Sequence, residues 1–229
     1  MTSNRPDGEG PLRLSIAPLF DTIGLQSADT ATKICVNVKA KEMLDDHQEN
    51  VRSPVDIVVA LDVSGSMKGR KLEDCKKTLS LVARNLSSKD RLGLVTFGSS
   101  AKVVLPVSKM TQELKTKAIQ LIESLQTDGM TNLSGGLALA AQELNEIAAS
   151  HPVRSIFLLT DGHANMGVTG KENLAAMVKA LNADMLNLHS TERMKSPTSL
   201  FAFGYGQNHD SDILRAMAEA SPGGLLLLR

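Results

Sequence analysis

The hydrophobic pattern of the chain alternates between short apolar runs and longer amphipathic stretches. The run from Val55 to Leu61 is almost continuously apolar, which is typical of a buried strand. Apolar residues then recur every three or four positions from Leu72 to Leu86, which predicts an amphipathic helix. The pattern predicts five further strands, at 92–97, 102–107, 155–160, 200–204 and 225–228. Four further helices are predicted around 114–125, 137–148, 174–185 and 214–218.

This alternation predicts an α/β fold, a doubly wound and mostly parallel six-stranded sheet with helices on both faces. The connection Gly98-Ser99-Ser100 is too short for a parallel crossover. The strand at 102–107 is therefore expected to be antiparallel and to lie at an edge of the sheet. In the strand order 3-2-1-4-5-6 of this fold class, the first and fourth strands are neighbours where the winding reverses. Ligands bind there, beyond the carboxyl ends of the strands.

The residues before Pro54 predict a separate, smaller segment. Residues 1–10 are polar and predict a disordered tail. Period-two alternation then predicts a small N-terminal β segment, from Leu12, Leu14 and Ile16 and from Ile34, Val36 and Val38. The polar stretch 45–50 is typical of a linker. We therefore expect a tail at 1–10, a β-rich extension and linker at 11–50, and the main domain at 54–229.

Oxygen-bearing side chains follow the first and fourth strands. Asp62, Ser64 and Ser66 leave the first strand at alternate positions, and Asp161 follows the fourth strand. Thr131 lies between them in the sequence. Carboxylate and hydroxyl oxygens suit a hard divalent cation such as Mg²⁺ or Mn²⁺. Together the five residues resemble the metal-ion-dependent adhesion site (MIDAS) of von Willebrand factor A domains.

The resemblance covers about residues 54 to 229 and implies a function. In the family, the serine and threonine hydroxyls coordinate the metal, and the aspartates act directly or through water. Carried over, Ser64, Ser66 and Thr131 would contact Mg²⁺ or Mn²⁺, with Ca²⁺ less favoured, and Asp62 and Asp161 would lie beside them. The implied function is a metal-dependent protein-binding module that captures an Asp or Glu of a partner protein.

Within the family, the stretch from Pro54 to Met67 is most similar to intracellular members. Some of these, such as plant ubiquitin ligases, join a RING finger to this domain. The sequence has two cysteines, Cys35 and Cys75, which are too few for a RING or a four-cysteine zinc site. Cys75 lies on the apolar stripe of a predicted helix and is expected to be a reduced core residue.

Composition narrows the choice of partner and compartment. Lys plus Arg and Asp plus Glu number 25 each, and this balance argues against nucleic acid as a partner. No apolar stretch approaches about 18 residues, so membrane insertion is not expected. The polar N-terminus lacks the apolar segment of a secretory signal. We therefore expect a cytoplasmic protein.

Each residue of the set also has a simpler interpretation when it is taken alone. Asp62 or Ser64 could cap the helix that is predicted to begin near Lys68. Thr131 could cap the helix that is predicted around 137–148, and Asp161 could belong to an ordinary Asp-Gly turn. It is the combination, spread over 100 residues of sequence, that favours a metal site.

Two other functions stay open at this point. One is a metal-dependent hydrolase or phosphatase that uses Asp62 as its nucleophile. The other is a scaffold whose metal is only structural. The first needs a second acid or base, and His163 and His209 supply no recognisable Ser-His-Asp arrangement. We therefore expect a protein that is not an enzyme.

Overall fold

The chain divides into two compact units, residues 1–51 and 52–229. The structure, a computed structural model, describes residues 12–18, 34–40, 52–187 and 197–228. The disordered tail predicted at 1–10 and the linker predicted at 45–50 lie outside the described residues.

The first unit contains a two-stranded antiparallel sheet. Its strands are β1 (Leu12–Pro18) and β2 (Ile34–Ala40). The register places Leu14 opposite Val38. The strands coincide with the two stretches in which apolar and polar residues alternate, the pattern of a strand with one apolar face.

The second unit is an α/β sheet structure with a short 3₁₀ helix at Gly65–Met67. Its strands are β3 (Val55–Asp62), β4 (Arg91–Phe97), β5 (Ala101–Lys109), β6 (Val153–Thr160), β7 (Thr198–Gly204) and β8 (Leu225–Leu228). Its helices are α1 (Arg70–Asn85), α2 (Gln112–Ser124), α3 (Leu133–Asn145), α4 (Lys171–Asn187) and α5 (Ser211–Glu219).

The six strands lie in the order β5-β4-β3-β6-β7-β8. Only the pairing of β4 with β5 is antiparallel among these neighbours. The prediction of a doubly wound, mostly parallel sheet with one antiparallel edge strand is therefore confirmed. Strands β3 and β6 are neighbours at the point where the winding reverses, so their carboxyl ends open toward the same crevice.

Helices cover both faces of this sheet because the central strand β3 is apolar on both sides. Val58 and Ala60 belong to one buried cluster, which includes residues of α3, α4 and α5. Val59 and Leu61 belong to the other, which includes residues of α1 and α2. Cys75 is fully buried in this second cluster, which confirms the prediction that it is a core residue.

A buried carboxylate stabilises the turn between α1 and β4. Asp90 accepts hydrogen bonds from the backbone N–H groups of Val55 (3.0 Å) and Ser87 (2.6 Å). It also forms a two-point ion pair with the Arg52 guanidinium. Burial is the largest influence and raises the pKa of Asp90, but Arg52 and the backbone donors together lower it to about 2.

Replacing Asp90 should make the free energy of unfolding depend less on pH in the acidic range. Because the folded pKa of Asp90 lies below its ordinary value of 3.8, ionised Asp90 stabilises the fold above about pH 4 and loses this effect as the pH falls toward 2. Asp90→Asn should lower the free energy of unfolding by about 2 kcal/mol at pH 7. Urea unfolding should show this difference shrinking between pH 5 and pH 2.5. Glu123→Gln, at an exposed position, is the control, and a difference of constant size at all pH values would contradict the assignment.

Candidate metal centre

The two aspartates of the predicted site leave adjacent strand ends. Asp62 is the last residue of β3, and Asp161 directly follows β6. The two strands run parallel with Leu61 paired to Leu159. Both aspartate side chains are fully buried. The sheet therefore brings together two carboxylates that are 99 positions apart in the sequence.

The Asp62 carboxylate is held rigidly from two directions. Its Oδ1 accepts from the backbone N–H of Ser64 at 2.8 Å, and its Oδ2 accepts from the Thr160 hydroxyl at 2.5 Å. Burial raises the pKa of Asp62, and the negative charge of Asp161 raises it further, while hydrogen bonds from Ser64 and Thr160 oppose the shift. The raised pKa therefore mainly reflects the removal of this carboxylate from water.

Ser64 and Ser66 lie on the same side of the loop that follows β3. Their Oγ atoms are 3.1 Å apart, and the Ser66 hydroxyl helps to lower the pKa of Asp161. Ser64 is buried, whereas Ser66 is exposed. The pair therefore reaches from the buried carboxylates to the solvent.

The capping interpretation of these residues is wrong. Helix α1 begins at Arg70, with Gly69 as its N-cap residue. Ser64 precedes the 3₁₀ helix but makes no side-chain cap hydrogen bond. The Asp62 carboxylate binds the backbone of Ser64 and the hydroxyl of Thr160 instead.

Thr131 is brought to the site by a loop that precedes α3. The backbone N–H of Gly65 donates to the carbonyl of Gly129 at 3.0 Å, and that of Asp128 donates to Val63 at 2.6 Å. Thr131 is buried, with 2% of its surface exposed. The cap of α3 is Asn132, whose side chain accepts from a backbone N–H in the first turn. Thr131 is therefore not the cap residue of α3.

A second loop holds Thr131 from the opposite side. The Thr131 N–H donates to Oδ1 of Asn165 at 2.9 Å. The Thr131 carbonyl accepts from the N–H groups of Asn165 and Met166, each at 3.2 Å. Asn165 thus fixes the backbone that carries the Thr131 hydroxyl, a role that no sequence pattern indicated.

A lysine contacts the Asp161 carboxylate. Lys71 Nζ donates to Asp161 Oδ2 at 2.9 Å, and the backbone N–H of His163 approaches Asp161 Oδ1 at 3.4 Å. Burial is the largest influence and raises the pKa of Asp161, but Lys71, Ser66 and His163 together lower it below its usual value. No sequence pattern indicated this role of Lys71, which is the second residue of α1 and follows the Ser-Gly-Ser-Met-Lys-Gly loop by two positions.

The two histidines make other contacts. Nε2 of His163 lies 2.5 Å from the carbonyl oxygen of Asn208. Nδ1 of His209 lies 2.6 Å from the carbonyl oxygen of Gly206. In the part of the chain that the structure describes, no group of three or more His, Cys, Asp or Glu side chains is placed to hold a metal. Any metal at this site must therefore use the hydroxyl oxygens together with the two carboxylates.

Residues 56–224 match the family model of the von Willebrand factor type A domain, so the chain belongs to this family. VWA domains commonly act as metal-dependent protein-interaction modules. The E3 ubiquitin-protein ligase WAV3 of Arabidopsis thaliana is 31% identical to this chain over 169 residues. The match covers 69% of this chain and 22% of the ligase. The chain spans about a fifth of the length of the first curated relatives it matches.

Solved structures share the fold. A von Willebrand factor type A protein from Catenulispora acidiphila superposes with a TM-score of 0.68 at 17% identity, over 96% of this chain and 46% of that one. Proximal thread matrix protein 1 from the mussel byssus, solved with zinc in its MIDAS motif, gives a TM-score of 0.60 at 17% identity, over 77% of this chain and 41% of that one. No helix among the described residues is long and apolar enough to cross a membrane.

Proposed function

We propose that this domain binds a partner protein by capturing an Asp or Glu side chain through a divalent cation. The cation would be held by Asp62, Ser64, Ser66, Thr131 and Asp161. The observation that carries the proposal is the convergence of two fully buried carboxylates with serine hydroxyls at the crevice between β3 and β6. Buried carboxylates of this kind are stable when a cation or hydrogen-bond donors compensate their charge.

The donor set fits a hard divalent cation. Carboxylate and hydroxyl oxygens are ligands for Mg²⁺ and Mn²⁺. Two carboxylates balance the charge of the ion, while the neutral hydroxyls of Ser64, Ser66 and Thr131 leave it able to attract a further anionic oxygen. Because Ser66 is exposed, that further oxygen can come from outside the chain. Mg²⁺ or Mn²⁺ is our proposal for the metal.

Exposed apolar side chains favour a protein partner over a small anion. Met130, Met166 and Val168 are 49%, 40% and 41% exposed. They lie on the two loops that hydrogen bonds join at Thr131. Methionine side chains adapt to varied apolar surfaces and are enriched at protein interfaces. We name these three residues the apolar rim, and we expect it to pack against apolar groups beside the captured carboxylate.

The hydrolase alternative has less support from the geometry. Both oxygens of the Asp62 carboxylate already accept hydrogen bonds, from Ser64 and Thr160, and the side chain is fully buried. A nucleophile needs an accessible oxygen. We further propose a cytoplasmic location and a partner-recognition role within a longer protein, in line with the similarity to the Arabidopsis ligase.

Chelation tests this function directly. Immobilised protein is incubated with a cell lysate in Mg²⁺, and bound proteins are eluted with EDTA and identified by mass spectrometry. We expect EDTA to release a defined set of partners from the wild type, and Ser66→Ala to retain less than about a tenth of it, as loss of a metal ligand predicts. Ser100→Ala, at an exposed position outside the site, is the control. Partners that stay bound in EDTA would contradict the proposal.

A further inference from the structure

Lys71 forms an ion pair with Asp161, one of the two carboxylates that would bind the metal. Its Nζ lies 2.9 Å from Oδ2 of Asp161. The Asp161 side chain is fully buried, whereas 28% of the Lys71 side chain is exposed. The ammonium group therefore reaches from the surface to a buried anion. It supplies positive charge beside the Asp161 carboxylate.

An ammonium group and a divalent cation on the same carboxylate repel each other. The repulsion between like charges a few ångströms apart is strong where water is largely excluded. Asp161 is in such a place. Binding of a metal beside Asp161 therefore favours withdrawal of Lys71 from this carboxylate. The flexible lysine stem makes such a movement inexpensive.

A groove beside the site can receive the displaced ammonium group. It has a volume of about 580 Å³ and is lined by residues that include Arg70, Lys71 and Asp74 from α1 and Gly206 from the loop after β7. Gly206 lies directly against the lysine stem: a Cβ there would be 2.5 Å from Lys71 Cε, so any larger residue would require the stem to shift. The glycine leaves room for the lysine stem at the edge of the groove.

The groove has an excess of positive charge along α1. Arg70 is 94% exposed and lies 3.6 Å from Asp74. Lys77 also approaches Asp74, at 3.9 Å. The single negative charge of Asp74 is therefore already outnumbered by these two basic neighbours. A displaced Lys71 would then be available to an acidic group from outside the chain.

We propose that Lys71 exchanges one carboxylate for another when the metal binds. It neutralises Asp161 in the metal-free protein, and it binds a second acidic residue of the partner once the metal has displaced it. This inference rests on the proposed function, since the first acidic residue of the partner is the one bound by the metal. The partner segment is therefore acidic at two positions, one for the metal and one for the groove.

Metal titration tests the first half of the exchange. The EDTA-treated full chain is titrated with Mn²⁺ by calorimetry, as wild type, Lys71→Met and Lys77→Met. Lys71→Met should bind Mn²⁺ about three- to tenfold more tightly than wild type, because a competing cation is gone. Lys77→Met removes the same charge from the same helix away from Asp161 and should change the affinity less than about twofold. Equal affinities of wild type and Lys71→Met would overturn the exchange, whereas no Mn²⁺ binding in any of the three would overturn the proposed function itself.

A measurement on the wild type makes the test independent of how the variant folds. In NMR spectra of the lysine ammonium groups, the Lys71 signal should be visible in the metal-free protein through its bond to Asp161. It is identified by its absence in Lys71→Arg. Saturating Mg²⁺ should shift or broaden this signal. An unchanged Lys71 signal in a protein that has bound Mg²⁺ would overturn the exchange.

Labelled peptides test the second half of the exchange, in which Lys71 binds an acidic residue of the partner. Fluorescein-labelled peptides carry either one glutamate or two glutamates separated by zero to three serines, and their binding is measured by anisotropy at saturating Mg²⁺. At least one two-glutamate peptide should bind the wild type about fivefold more tightly than the single-glutamate peptide, as expected for an added ion pair. Lys71→Met should lose this preference and Lys77→Met should keep it. A preference that survives in Lys71→Met would overturn the role of Lys71 in partner binding.

Discussion

Gly98→Ala is expected to destabilise the domain and to abolish metal binding at the same time. A Cβ at Gly98 would lie 2.0 Å from the carbonyl oxygen of Asp128. This oxygen belongs to the backbone and cannot rotate away. The Gly98 carbonyl also accepts from the N–H of Asn132 at 2.8 Å, so the loop from Asp128 to Asn132 must shift as a unit. We expect a loss of about 3 kcal/mol in the free energy of unfolding.

The loss of metal binding follows because Thr131 lies in the displaced loop. Urea unfolding and Mn²⁺ calorimetry on the same samples measure both effects. Ser100→Ala, two positions away and exposed, adds no atoms and should leave both quantities at wild-type values. A Gly98→Ala protein with wild-type Mn²⁺ affinity would show that the position of this loop does not matter to the site.

Asp62→Asn should remove metal binding while the metal-free fold stays intact. Asparagine has the same shape, and its amide can still accept from Ser64 N–H and contact the Thr160 hydroxyl. Because burial raises the pKa of Asp62 above its ordinary value, the ionised carboxylate destabilises the metal-free protein at neutral pH. We therefore expect the metal-free variant to be as stable as the wild type or about 1 kcal/mol more stable.

The difference between the two proteins should reverse when metal is added. Mg²⁺ should raise the melting temperature of the wild type, since a ligand that binds the folded state stabilises it. It should leave Asp62→Asn unchanged, with an affinity at least about a hundredfold lower. Asp212→Asn, an exposed carboxylate on α5, controls for general charge effects. Equal melting shifts in wild type and Asp62→Asn would remove Asp62 from the site.

The fold was predictable because buried parallel strands leave a strong signal. Strand β3 is covered on both faces, so every residue from Ile57 to Leu61 is apolar and buried. Strand β5 was predicted at 102–107 but extends from Ala101 to Lys109. Of its nine residues only Leu105 is buried, so the ends of the strand are set by backbone pairing with β4 and not by an apolar pattern.

The positions of the candidate site residues could also be predicted from the sequence. Asp62 and Asp161 directly follow apolar runs, and the topology of a doubly wound sheet places the ends of those runs side by side. The residues that hold these side chains in place could not be predicted from the sequence. Asn165 fixes Thr131 from 34 positions away, and Thr160 fixes Asp62 from 98 positions away. Such contacts depend on loop conformations, which have no periodicity.

Asp56, a buried carboxylate near the opposite end of β3, is another residue whose contacts could not be predicted from the sequence. Asp56 is fully buried within the apolar run. It pairs with the Arg91 guanidinium at 3.0 Å and accepts from the backbone N–H of His151 at 2.7 Å. Ser64 and Ser66 mark Asp62 in the sequence, whereas no sequence pattern indicates that Asp56 is buried and paired with Arg91. The positions of the two aspartates at opposite ends of the parallel strand separate the two roles.

Calorimetric titration of the EDTA-treated wild type with Mn²⁺ and Mg²⁺ tests the central claim most directly, with Asp62→Asn as the reference that lacks a ligand. We predict saturable binding of one metal ion per chain to the wild type and no measurable heat of binding in the variant. Absence of binding to the wild type, or equal binding to both proteins, would contradict a divalent-cation site built on the five residues.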